Sequence, residues 1–109
     1  MFQRTCTIVT ATADTAVAAS TVIPFGNFAG GQVFVPTGSS ITALTWYGSH
    51  DGTTFLPIED GAGNAVTSIF SSSAAAAKSC LIPAACFGCA FLKAVASGAA
   101  GTIYLSLKS

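Results

Sequence analysis

Alternation of apolar and polar positions is the main signal along this chain. In residues 41–49, Leu44 and Trp46 fall on one face of an extended strand, with Ile41, Ala43, Thr45 and Tyr47 on the other. Residues 102–108 behave alike: Ile103, Leu105 and Leu107 point one way, and Tyr104, Ser106 and Lys108 the other. Residues 4–10 form a first strand candidate. Residues 16–25 lead through Val22, Ile23 and Pro24 to Phe25, and Pro24 marks an edge or a strand end. Gly30-Gly31 turns the chain into residues 32–35, which Pro36 stops. At His50-Asp51-Gly52-Thr53, Asp-Gly supplies the positive φ of a tight hairpin, with residues 54–58 as the returning strand. A second turn spans residues 59–64, and residues 65–70 resume the sheet. Residues 71–77, all Ser and Ala, read as an irregular loop. Residues 87–96 read as a strand apolar on both faces, with Phe87, Cys89, Phe91 and Val95 opposite Ala90, Leu92 and Ala94. Such a strand is central in a sandwich or turns half of itself towards a partner.

Seven or eight short strands of this kind predict an all-β fold, a two-sheet antiparallel β-sandwich of jelly-roll-like form. Composition agrees, with 13 Thr, 7 Val and 7 Ile against 6 Leu, and 11 Gly for the turns. A length of 109 residues fits one domain. Residues 1–15 are expected to be an N-terminal arm or first strand, and residues 16–109 the β-sandwich domain.

Charge changes the picture. Only 7% of residues are charged and the formal net charge is zero, where roughly 25% charged is usual. A free monomer uses charge to stay soluble and apart from its neighbours. A surface partly covered by protein, in a homo-oligomer or larger assembly, explains the shortage; a monomer dressed in Ser, Thr and Gly is the competing reading. Four scattered cations argue against nucleic acid as a partner. No apolar run approaches the roughly 20 residues that span a bilayer, so no membrane partner is expected. The start, MFQRTCTIVT, lacks the pattern of a secretory signal. The expectation is a product that begins at or near residue 1 and is made in a cytoplasm.

The residues that could carry chemistry are few. His50 is the single histidine, and Asp51 is its neighbour at a turn, so their side chains diverge; no G-x-S-x-G elbow presents a nucleophile. The expectation is no enzyme, no catalytic residue and no cofactor. Asp51, Glu59, Asp60 and Asn64 could offer hard oxygen ligands to calcium, but they are also ordinary turn residues in no EF-hand spacing. Cys86-Phe87-Gly88-Cys89 could be half of a zinc site, but Cys6 and Cys80 stand alone. The four cysteines read as reduced thiols packed in the core. Trp46 and Tyr47 could suggest a sugar platform, but strand neighbours face opposite sides. Trp46 is expected in the core and Tyr47 at the surface or an interface.

The stretch Ser40-Ile41-Thr42-Ala43-Leu44-Thr45-Trp46-Tyr47-Gly48-Ser49-His50-Asp51-Gly52-Thr53-Thr54-Phe55-Leu56-Pro57-Ile58 resembles a segment of small β-sandwich proteins of tailed bacteriophages. Asp60–Val66, Phe91–Val95 and Gly101–Lys108 fit the same pattern. The resemblance covers about half of the chain. It implies that the first run is a hairpin and the last two segments a terminal β-pair. It also implies a virion protein, a head decoration (cement) protein that binds the outer surface of the major capsid protein lattice as a homotrimer. The Cys-rich 80–89 segment and the Ala-rich loop depart from the pattern. Interface candidates are Arg4, Tyr47, Phe87 and Phe91. The alternatives are a phage tail or fibre module that binds glycans and a cellular carbohydrate-binding module.

Overall fold

A computed structural model describes residues 6–26, 28, 30–36, 41–70 and 78–108. Arg4, the first two residues of the 4–10 strand candidate and the 71–77 loop lie outside the described residues. The strands are β1 (Cys6–Ala13), β2 (Ile23–Pro24), β3 (Gly30–Val35), β4 (Ala43–Ser49), β5 (Leu56–Pro57), β6 (Thr67–Ile69), β7 (Lys78–Leu81), β8 (Phe91–Ser97) and β9 (Gly101–Lys108). Val17–Ala19 and Ala84–Cys86 form short 3-10 turns. No helix of the described residues is long and apolar enough to cross a membrane.

The strands form two antiparallel sheets packed face to face, a β-sandwich as the alternation predicts. The first sheet has the order β1-β9-β3-β7 and the second β2-β8-β4-β5, with β6 also paired to β4. Because β8 runs along the whole of one side of β4, the short strands β5 and β6 share its other edge. β5 and β6 answer to the expected strands at 54–58 and 65–70, and the additional strand β7 brings the number to nine among the described residues. β2 is an edge strand, where Pro24 lacks only a donor that the sheet does not require.

Inward-facing positions of both sheets build the core. The first sheet contributes Ala11, Ala13, Val33, Val35, Ile103, Leu105 and Leu107; the second contributes Ile23, Leu44, Trp46, Leu92, Ala94 and Ala96. Trp46 is fully buried, and its indole N–H donates to Ser68 Oγ at 3.0 Å, so the one polar atom of the ring is satisfied. At the corner of the sandwich the chain leaving β1 passes from one sheet to the other. Ala13 still pairs with Gly101, while Asp14 bridges to Val95 and its carbonyl accepts the Ala96 N–H at 2.8 Å.

Four expectations need correction. The strand over residues 87–96 begins only at Phe91. Pro83 opens a 3-10 turn, and the N–H groups of Cys86, Phe87 and Cys89 donate three residues back, so the backbone satisfies itself locally. Secondly, β8 and β9 are no terminal pair, since β8 pairs with β2 and β4 and β9 with β1 and β3. Thirdly, the 50–53 turn belongs to a wider loop. The pairing closes at Gly48 and Leu56, and Gly52 alone takes a positive φ, of 81°. Lastly, Lys78–Leu81 is a strand that the apolar pattern does not mark. With four residues and one Lys, it owes its conformation to pairing with β3.

Candidate functional site

Where the chain leaves β4, side-chain chemistry is consumed by the turn. Ser49 Oγ donates to Asp51 Oδ1 at 2.8 Å and accepts the N–H groups of Asp51 and Gly52. Thr53 and Thr54 N–H groups donate to the same carboxylate oxygen at 2.9 and 3.0 Å. Those amides, Thr54 first, hold the Asp51 carboxyl far below the usual carboxylate range. Asp60 is lowered in the same way by the amides of Asn64 and Ala62. The exposed His50 borders a shallow depression of about 190 Å³ with Gly48, Ser49, Thr54, Leu56 and Cys89. Among the described residues no three of His, Cys, Asp and Glu gather where a metal ion could be held.

The cysteines divide. Cys86 is buried in the core, and its thiol is pushed up to about 12 by desolvation and then by the neighbouring Cys89. Burial also raises Cys80 and Cys89, which pack partly against the core. These three are neutral thiols at ordinary pH, poor nucleophiles and poor metal ligands. Cys6 corrects the expectation: it is exposed, on the outer side of β1, with its Sγ 2.8 Å from Ser106 Oγ.

The predicted interface residues do not form one patch. Tyr47 and Phe91 are half-buried on the outer face of the second sheet, flanking Lys93, which pairs with Tyr47. Phe87 is exposed but sits in the turn before β8, stacked on Phe25 at 6.2 Å. The outer face around Lys93 is itself covered. Lys93 Nζ donates to the Val17 carbonyl at 2.9 Å and lies 4.6 Å from the Phe55 ring centre, so two loops are drawn onto the sheet.

The outer face of the first sheet is open. Of the eight exposed large apolar side chains among the described residues, four lie there: Ile8, Phe34, Leu81 and Tyr104. Strand register sets them in rows, Ile8–Ser106–Gln32–Leu81 and Thr10–Tyr104–Phe34–Ser79. Depressions of about 510 and 320 Å³ flank Phe34, one bordered by Tyr104, Pro36 and Lys78, the other by Gln32, Leu81 and Lys108. The remaining side chains are Thr, Ser, Gln and Cys6, and Lys108, with Lys78 at the rim, supplies the charge. Alternation does mark Tyr104 as pointing away from Leu105, but the joining of Tyr104 to Phe34 depends on a register that no local pattern encodes. No family of known proteins, no curated protein and no solved structure matches the chain.

Proposed function

We propose that this chain is a structural assembly protein, specifically a bacteriophage head decoration protein that lays the outer face of its β1-β9-β3-β7 sheet on the major capsid protein lattice and stabilises the shell. The observation that carries the reading is that face: broad, nearly uncharged, studded with Ile8, Phe34, Leu81 and Tyr104 and not covered by any described loop. Exposed apolar groups concentrated on one sheet are the usual mark of a surface meant to be covered. The resemblance of residues 40–58 to small phage sandwich proteins supplies the partner. Copies bound across a repeating shell share avidity, so each contact can be small. No step in this role requires catalysis or a cofactor, and the product resides on the virion surface.

The test is co-sedimentation with purified phage heads. Binding should saturate at a lattice-defined ratio and raise the melting temperature of the shell. Phe34→Asp combined with Tyr104→Asp should abolish binding while leaving the strand signal in far-ultraviolet circular dichroism. Heads that bind the double variant as well as the parent would overturn the reading.

One observation favours glycan binding as a second reading. Phe34 and Tyr104 stand side by side on adjacent strands, an aromatic pair of the type that sugar rings stack on. Glycan-array binding that is lost in the Tyr104→Ala protein, with no affinity for heads, would select it.

A further inference from the structure

The first sheet ends in two edges whose free groups match each other. In a strand, the main-chain groups of alternate residues point to opposite sides. On β1, Thr12 reveals which side is which: its N–H donates to Thr21 Oγ1 at 2.9 Å and its carbonyl accepts the Thr21 N–H at 3.0 Å, both away from β9. Ile8 and Thr10 share this parity, so their N–H and C=O groups point off the sheet. At the other edge the Gly31 carbonyl accepts the Ile82 N–H at 3.0 Å, so Ile82 and Cys80 face β3 while Ser79 and Leu81 face outward. Among the described residues no strand pairs with these four outward positions.

The two edges carry little of the usual protection against pairing. Residues 6–13 contain no proline and no charge, and residues 78–81 carry only Lys78, whose Nζ lies over the Phe70 ring. The edges also match in length, since the Thr21 bonds to Thr12 close the free edge of β1 after Ala11. Residues 8–11 are thus left to face residues 78–81. Their directions match as well: successive antiparallel pairings across β9 and β3 leave β7 antiparallel to β1. If β7 of one copy lies beside β1 of another, both rows of the face continue without a step. Leu81, 74% exposed, then meets Ile8, 65% exposed, and Ser79 meets Thr10. One cross-strand pair is apolar and the other joins hydroxyls, both favourable.

We propose that copies of this chain join head to tail through this sheet, β7 of one adding to β1 of the next with Leu81 opposite Ile8 and Ser79 opposite Thr10. Such a contact leaves one free edge at each end, so repetition closes a ring when the rotation per copy permits and otherwise runs on. A three-copy ring is the closed form that accords with the decoration-protein reading. The inference rests on that reading for the number of copies only, and its test uses the free chain without heads, so each can fail alone.

The test is mass by equilibrium sedimentation. Thr10→Pro removes an outward N–H from β1 and leaves every β1–β9 donor in place; Leu81→Pro does the same for β7. The parent should associate, and each variant alone should be monomeric. An equal mixture should form a dimer of one copy of each, because one sound β7 edge and one sound β1 edge remain. Should either proline variant lose its strand spectrum, Ile8→Lys and Leu81→Lys replace the pair with the same expectation. A strictly monomeric parent, a mixture that stays monomeric, or a Leu81 variant that associates by itself through β1 would each overturn the proposal.

Discussion

At the scale of single residues, Trp46 shows how much one position can carry. It is fully buried, and its only polar atom is bonded to Ser68. Trp46→Ala should lower unfolding stability by about 4 kcal/mol, measurable by chemical denaturation. Ionisable residues set the pH limits from opposite sides. The Asp51 carboxyl is depressed below its ordinary 3.8 by turn amides, so the stability it contributes is complete above that pH and is lost as pH falls further. Asp51→Asn should flatten the acid limb of a stability–pH curve. Cys86 is raised from 9.0 to about 12, so its contribution is complete below pH 9.0 and is lost as pH rises towards 12. Cys86→Ala should lower the plateau but remove that alkaline loss; an unchanged alkaline slope would mean that another group governs it.

Among elements, β8 anchors the two loops drawn onto the second sheet's outer face. Lys93 is buried there, its charge set against the Val17 carbonyl and the Phe55 ring. Lys93→Met keeps the apolar stem and loses both contacts, which should cost about 2 kcal/mol and loosen residues 15–21 first. Amide hydrogen exchange reads that order directly. β1 is a sheet strand with eight pairs to β9, and Ala11 and Ala13 are in the core. Deleting residues 1–15 would strip β9 of a neighbour and open the corner at Asp14, so the truncated chain should lose its strand spectrum.

For the whole molecule, the chain crosses between sheets at nearly every long connection, with β1, β3, β7 and β9 in one sheet and β2, β4, β5, β6 and β8 in the other. Nearly all pairings are therefore distant in sequence, and loops must close before contacts can reward them. Refolding followed by stopped-flow fluorescence of Trp46 should fall in the range of roughly milliseconds to seconds usual for sandwiches. The same weaving leaves the outer face of the first sheet open and draws the 14–22 and 50–56 loops onto the second sheet around Lys93, while Ile69 stays exposed at its β6 edge. That asymmetry supports assembly through the open sheet.

The local sequence determined the class of fold, because a two-residue period needs no distant partner to be read. Leu44 and Trp46, and Ile103, Leu105 and Leu107, are buried as their alternation requires, and Asp51-Gly52 turns where its chemistry dictates. Tertiary structure alone decided the rest. Lys78–Leu81 is a strand only because β3 lies beside it, and Phe91–Ser97 and Gly101–Lys108 separate into different sheets although they are neighbours in the chain. The open face around Phe34 and Tyr104 joins residues 70 positions apart, through pairings that only the packed sheets bring into register.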